Sequence, residues 1–368
     1  MDRKIKVVQA LLTGGEGGAQ TYFEKMVYGF EKDPDIEQQV ITVNIPGRIK
    51  RFQAAGIHYL ATGNFRSEKA PHRFIQSQFA KFHDRFRIKQ YLTQFDPDII
   101  VSYHNTAPGI IRYPKAIHIA RMGHGNQKKT YANCDYIVVN QPTLKHQVLA
   151  KGWPKDRIAV ISNFAEFPSA LQADGELPDL PPEANVLLTL GRLHPAKAQD
   201  TLIEALALLP ENTHLLIAGT GKLETRLKSL TADLNLNHRV HFLGLRRDVP
   251  RLMQMADIVV LPSRYEPLGN VILEAWQAGK PIVAANSDGP RWLIDHGKNG
   301  LLFEIDDVAD CAGQISQLLT HPQMISGLVA EGSSKLNRYF SKEKILNDYK
   351  TLFYRLLTER KSPTVKIS

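Results

Sequence analysis

The chain has 368 residues, 43% of them hydrophobic, with 46 Lys and Arg against 37 Asp and Glu and a formal net charge of +9. That length supports two ordinary cores, and two distant cysteines, Cys134 and Cys311, exclude a disulfide framework and a thiolate metal site, so a reducing cytoplasm suits the chain. No apolar run is long enough to span a bilayer, and the opening MDRKIKVVQALLTGGEGG is broken by Lys6 and Gln9 and lacks a cleavage site, so it reads as a first strand, not a leader.

Short β-branched runs alternate with longer amphipathic segments, the pattern of parallel sheets covered by helices. In the first half, strands are expected near Ile5 to Leu11, Val40 to Val43, Ile99 to Ser102, Tyr136 to Val139 and Ile158 to Ile161. The first ends in the glycine loop Gly14 to Gly18, where Gly15, Gly17 and Gly18 let backbone approach a phosphate or sugar closely. TGGEGGA does not reproduce G-x-G-x-x-G, and Asn44 follows the second strand where a ribose-binding acid belongs, which disfavours a nicotinamide enzyme.

From Arg48 to Lys89 ten Lys and Arg stand against two acids, Glu68 and Asp84, with seven Phe and Tyr between them. No nucleic-acid module accompanies this patch, so no nucleic-acid partner is expected. Ile75, Phe79, Phe82 and Phe86 form a helical stripe flanked by Lys81, Arg85 and Lys89, which suits either an anionic membrane surface or a helix packed on its own sheet. His104, ending the strand DIIVSYH, and His124, in RMGHG, are both candidates for a reacting centre, with His104 preferred.

The segment FPSALQADGELPDLPPEA is rich in proline and acid and lacks periodicity, as a linker does. The expected organisation is a domain over 1–166, a linker over 167–185, a second domain over 186–340 and a terminal helix and tail over 341–368. Strands of the second domain are expected near Val186 to Leu190, His214 to Ala218, Val240 to Leu243, Ile258 to Leu261 and Ile282 to Ala285, and Ile345, Tyr349, Leu352, Phe353 and Leu356 mark the terminal helix.

Three patterns imitate other chemistries. GTGKL lacks the first glycine and the Ser or Thr of a phosphate-binding P-loop, so it is a turn. The triplets Asp33 to Asp35 and Asp96 to Asp98 resemble a metal-binding Asp-x-Asp, but each has a central proline and precedes a strand, so capping explains them. No H-E-x-x-H or paired-cysteine spacing is present, and no metal is expected.

The richest segment is SRYEPLGNVILEAWQAGKPIVAANSDGP. If a helix begins near Gly269, Glu274 sits on it and Glu266 in the loop before it, while the backbone N–H groups of Gly269, Asn270 and Val271 offer an anion site at its N-terminus. This segment resembles the E-x(7)-E signature of glycosyltransferase family 4, the retaining, metal-independent transferases of GT-B fold. LLTLGRLHPAKAQDTLIEAL, HLLIAGTGKLETRLKSL, VHFLGLRRDV and ADIVVLPSRYEP follow in that family's order, while TGGEGGAQ and DIIVSYHNTAP carry a thinner likeness in the first half. RMGHG and ISNFAEF look most like transferases that build lipopolysaccharide cores.

The resemblance implies an α/β protein of GT-B fold: two Rossmann-like domains facing a central cleft, the first on the acceptor side and the second binding the donor, with a C-terminal helix crossing back to the first. It implies a hexosyltransferase using a nucleoside diphosphate sugar, a UDP-hexose or GDP-mannose, on a lipopolysaccharide-type, other lipid-linked or oligosaccharide acceptor, in the cytoplasm or at the cytoplasmic face of the inner membrane, with no cofactor. It assigns Arg192 and Lys197 to the donor diphosphate, whose departing charge such cations stabilise, Glu274 to the ribose, Glu266 to the donor sugar and His104 to the reacting centre. Gly191, Gly221, Leu245, Arg246, Gly269, Asn270 and Val271 would shape the donor site, with Arg246 at the rim of the base pocket. For retention without an enzymic nucleophile, the implied route is same-face attack, the leaving phosphate taking the acceptor proton.

Ala198 stands where that family commonly has glycine, Leu268 where phenylalanine is frequent and Trp292 where many members carry glutamate; the last puts a helix cap and the shape of the cleft in question. The competing readings are an epimerase or phosphorylase on a similar fold and a catalytically silent sugar-nucleotide-binding protein. The presence of Arg192, Lys197, Glu266 and Glu274 argues against silence.

Overall fold

The computed structural model describes residues 3–14, 18–63, 74–123, 128–167 and 174–361. The chain divides into two compact units, Met1–Asn163 with Lys342–Ser368, and Phe164–Ser341.

Among the described residues the first unit holds a parallel sheet of β1 (Ile5–Leu11), β2 (Ile36–Val43), β3 (Tyr59–Thr62), β4 (Ile99–Tyr103), β5 (Ile117–Met122), β6 (Tyr136–Val139) and β7 (Ile158–Val160), in the order β3-β2-β1-β4-β5-β6-β7. β4, β5 and β6 are buried along their whole length, as parallel strands covered on both faces must be. Helices α1 (Gly18–Phe30), α2 (Pro46–Ala54), α3 (Phe74–Phe95), α4 (Thr106–Ile110) and α5 (Pro142–Ala150) connect them. In α1, Tyr22, Phe23, Met26, Val27 and Phe30 recur at helical spacing and are buried. In α5, Pro142 occupies the first turn and the Gln141 side chain accepts from Thr143 N at 3.1 Å, a side-chain cap at the helix start.

The second unit holds β8 (Asn185–Leu190), β9 (Thr213–Ala218), β10 (Val240–Gly244), β11 (Ile258–Leu261), β12 (Ile282–Ala285) and β13 (Leu301–Phe303), parallel in the order β10-β9-β8-β11-β12-β13. Its helices are α6 (Gln199–Leu206), α7 (Glu224–Asp233), α8 (Val249–Met255), α9 (Asn270–Gln277), α10 (Asp288–Leu293), α11 (Val308–Thr320) and α12 (Gln323–Tyr339). Leu187, Leu215, Ile217, Val260 and Val283 pack on one face of the sheet, and Leu188, Leu216, Val259, Ile282 and Ala284 on the other. Arg239, buried, donates to the carbonyls of Leu206, Leu209 and Pro210 and so satisfies the C-terminal end of α6.

The terminal helix α13 (Lys342–Lys361) belongs to the first unit. Phe353 packs against Phe30 of α1 with ring centroids 6.2 Å apart, and Lys350 pairs with Asp33 and Asp35, each at 3.1 Å. One Asp-Pro-Asp triplet therefore anchors this helix. In the other, Asp98 accepts from Lys6 N at 2.9 Å and from both arms of Arg3, fixing the start of β1.

Several sequence expectations need correction. β3, β5 and β13 are additional strands, and β2 begins at Ile36, ahead of Val40. The described residues of the expected linker, 167 and 174–185, lie within the second unit, where Phe167, Leu177, Leu180 and Ala184 pack against its core. Trp292 lies within α10, not at its cap, and stands edge-on to Phe340 with centroids 5.7 Å apart.

Candidate functional site

In each sheet the strand order reverses once, between β8 and β11 in the second unit and between β1 and β4 in the first. Open parallel sheets bind ligands outside the C-terminal ends of the strands at such a reversal, because the loops there diverge and leave a crevice. The residues singled out from sequence concentrate at these two places.

In the second unit the turn after β8 and the turn after β9 meet backbone to backbone. Gly191 N donates to Ala218 O at 3.0 Å and Leu193 N to Thr220 O at 3.0 Å. A Cβ on Gly219 would lie 1.9 Å from Gly191 O, and one on Gly221 2.2 Å from Leu193 O, so only glycine fits at either position. This close approach places Arg192, exposed, and Lys197 on the loop that leads into α6. Ala198 between that loop and α6 has φ +50°, the left-handed conformation that explains why glycine is the easier residue there.

The turn after β11 faces that loop. The Lys197 ammonium donates to Glu266 Oε2, Ser263 Oγ donates to the same oxygen at 3.3 Å, and Tyr265 N donates to Ala196 O at 3.2 Å. Arg264 forks onto Asp200 at 3.0 and 3.1 Å and reaches Pro195 O at 2.8 Å. The two loops on either side of the strand reversal are thus tied together, with a partly buried cation and carboxylate at the crossing. Sequence reading does not single out Ser263; nothing in the spacing of PSRYEP distinguishes a serine that orients a carboxylate from one that ends a strand.

Gly269 follows with φ +92° and caps α9, whose first residues are Asn270 and Val271. Ile272, Leu273, Ala275 and Trp276 bury one side of this helix, and Asn270, Val271 and Glu274 share its half-buried side. Glu274 therefore stands one turn from the N-terminal N–H groups, on the same face, as the spacing suggested.

Leu245 and Arg246 separate. Leu245, following β10, is exposed, but Arg246 is buried in a bidentate pair with Asp248 at 2.6 and 2.8 Å and donates to Glu176 O at 2.7 Å. Its guanidinium secures the 174–176 segment, so the residue expected at the rim of the base pocket is held in place by these bonds. The signal was Asp248 two residues on, which pairs with it locally.

In the first unit Thr13 and Gly14 follow β1 at the start of the loop, Gly18 opens α1, and Gly15 and Gly17 lie outside the described residues. His104, directly after β4, is half-buried with φ +62°, an unusual conformation for a non-glycine residue, and sits at the β1/β4 reversal. His124 lies outside the described residues. Among the described residues no group of three or more His, Cys, Asp or Glu is arranged to hold a metal ion, and no helix is long and apolar enough to cross a membrane.

Residues 176–335 match the family model described as "Glycosyl transferases group 1". The lipopolysaccharide core biosynthesis glycosyltransferase LpsE of Rhizobium meliloti is 31% identical over 338 residues, covering 91% of this chain and 95% of that protein. The chain is a group 1 glycosyltransferase. LpsD of the same organism is likewise 31% identical, over 94% of this chain and 98% of its own length. Among solved structures, that of Anabaena HepE in complex with UDP and glucose superposes with a TM-score of 0.77 at 19% identity, over 95% of this chain and all of that one. The lipopolysaccharide outer core galactosyltransferase WaaB gives 0.73 at 19% identity, over 96% and all of the respective chains. The glycosyltransferase accordingly has the GT-B fold, two Rossmann-like units with a C-terminal helix, and resembles family 4.

Proposed function

We propose that this glycosyltransferase moves a hexose, with retention and without a metal, from a UDP-hexose or GDP-mannose to a lipopolysaccharide-type, other lipid-linked or glycan acceptor. The observation that carries this reading is the crossing of Lys197 and Glu266 beside the N-terminus of α9, with Glu274 on the half-buried side of that helix. The whole-length similarity to LpsE and LpsD, both core lipopolysaccharide transferases, supports the acceptor class, and the UDP complexes of HepE support the donor class.

In this mechanism Arg192, Lys197 and the α9 N-terminus receive the diphosphate, Glu274 accepts hydrogen bonds from the ribose and Glu266 from sugar hydroxyls. The bond from the anomeric carbon to the phosphate oxygen breaks while the acceptor oxygen bonds on the same face, and the departing phosphate oxygen takes the acceptor proton. Negative charge grows on the diphosphate as the bond breaks, so fixed cations stabilise the transition state more than the bound donor. His104 stands at the reversal of the first sheet, the place assigned to the acceptor and the reacting centre.

The acceptor also accounts for an otherwise unfavourable surface. On α3, Asp84, Ile88, Leu92 and Phe95 are buried, whereas Phe82 and Phe86 are 74% and 59% exposed beside exposed Arg85 and Lys89. These two aromatics are not core residues of their own sheet, and they offer apolar and cationic contact to an anionic leaflet, where each cation contributes about 1 kcal/mol. Ile75, Phe79 and Lys81, the remaining members of the stripe, lie outside the described side chains.

Thermal stabilisation measured across UDP-, GDP- and ADP-sugars tests the donor class, since a ligand that binds only the folded state raises its melting temperature. A shift with UDP-hexoses or GDP-mannose is expected, and no shift with any of them would remove the reading.

A further inference from the structure

We infer that Arg121 is a positioning residue for sugar transfer, fixing from a buried site the segments that carry Gly18 and His104. The inference rests on the transferase reading above.

Arg121 lies near the end of β5 and is 5% exposed. Its Nη1 donates to Met122 O at 2.7 Å, its Nη2 donates to Asn163 Oδ1, and its guanidinium lies 4.9 Å from the centre of the Tyr22 ring. The Nε is buried without a hydrogen-bond partner, and no carboxylate pairs with the group among the described residues. A buried guanidinium without a counter-ion is unfavourable for folding, and an apolar side chain of similar volume would serve packing at least as well. Stability alone therefore does not explain an arginine here.

Its neighbours lead to the parts of the first unit assigned to the reaction. Tyr22 lies in the opening turns of α1, which starts at Gly18 at the end of the glycine loop, and its hydroxyl donates to Ser162 O at 3.2 Å. Asn163 is the last residue of the first unit before the chain passes to the second. Tyr103 pairs in register with Arg121 and directly precedes His104; its hydroxyl donates to Gln9 Oε1 at 2.8 Å and its ring meets Phe23 edge-on at 5.2 Å. Arg121 thus joins β5, the start of α1 and the chain exit, and borders the residue that sets the His104 turn. A planar donor fork bonded to two chain segments does this where a flexible ammonium or a thioether would not.

The test uses the full chain and the nucleotide sugar it turns over. Arg121→Met is expected to keep or raise the melting temperature and to leave affinity for the free nucleoside diphosphate unchanged. It should lower kcat by roughly 10- to 100-fold at unchanged donor KM, the scale of a small misplacement at a reacting centre. Arg121→Lys should fall between. Tyr22→Phe, which removes the hydroxyl bond to Ser162 and keeps the ring, should lower kcat less, and it decides the matter if the Met variant does not fold. An undiminished kcat in the folded variant overturns the inference. Loss of diphosphate affinity in step with kcat overturns it too, because the effect would then be general. A wild type that turns over no nucleotide sugar would instead overturn the transferase reading.

Discussion

The Lys197 ammonium and the Glu266 carboxylate pair across the reversal of the second sheet, joining the loop after β8 to the loop after β11. The pair is partly buried, with side-chain exposures of 27% and 12%, so each charge would be left in a poorly solvated place without the other. In the proposed mechanism a bound diphosphate would offer Lys197 a second anion and the sugar would offer Glu266 hydroxyl donors. The pair would then keep both groups in place before the donor arrives.

Lys197→Ala should lower turnover by roughly 10² or more, because the cation is worth most against the departing diphosphate. Steady-state kinetics on a variant shown by circular dichroism to be folded would check this, and near-normal turnover would remove Lys197 from the mechanism. Glu274→Ala should instead weaken binding of the free nucleoside diphosphate, read by titration calorimetry; unchanged affinity would count against the ribose role.

The glycines of the donor loops differ in what they tolerate. Gly219→Ala would force a Cβ against the Gly191 carbonyl, a backbone atom that cannot yield cheaply, so donor binding and stability of the second unit should both collapse. Ala198→Gly relieves a left-handed alanine whose strain is about 1 kcal/mol, offset in part by a more flexible unfolded chain, so it should be neutral or mildly stabilising with activity intact. Urea denaturation of the two variants gives the comparison, and equal effects would show that the close approach does not decide the local fold.

Stability should fall on mild acidification. His118 is buried on β5, its Nδ1 donating to Asn133 O at 3.0 Å and its Nε2 accepting from Ser102 Oγ at 2.7 Å, and burial pushes its pKa down from 6.5 to about 4. Between those values the unfolded chain takes up a proton that the folded chain refuses. The contribution is complete above about pH 6.5 and is lost toward pH 4, by on the order of 3 kcal/mol. His214 and His241, stacked on β9 and β10 and also held below their ordinary range by burial, act in the same direction. Urea midpoints between pH 4.5 and 7.5 should decline with acid, and His118→Gln should flatten the slope; an unchanged slope in a folded variant would contradict the assignment.

The exposed face of α3 should bind anionic vesicles and not neutral ones, with binding weakened by salt. Changing Arg85 and Lys89 to Gln, or Phe82 and Phe86 to Ser, should reduce sedimentation with anionic vesicles while leaving hydrolysis of the donor intact. Equal binding by the variants would locate any membrane contact elsewhere.

The second unit was legible because its candidate site sits in loops marked by glycine: Gly191, Gly219, Gly221 and Gly269 punctuate the sequence where the backbone turns sharply or approaches another strand. The first unit was less so. β5 was missed because His118 and Arg121, both buried, look like surface residues in the run IHIARM, and no periodicity distinguishes a satisfied buried polar group from a solvated one. β13 is three residues long, below what a pattern of alternation can mark. The bonds of Arg246 to Gly175 and Glu176 were not legible because these partners lie about seventy residues away in a segment that reads as linker.

The most direct test of the central claim is product analysis. The purified protein is incubated with a UDP-hexose or GDP-mannose and a truncated lipopolysaccharide acceptor in the presence of a chelator, and the anomeric signal of the product is read by NMR before equilibration. Transfer that survives the chelator, with the anomeric configuration of the donor preserved and lost in Lys197→Ala, is the predicted result. An inverted product, or transfer that requires a divalent cation, would contradict it.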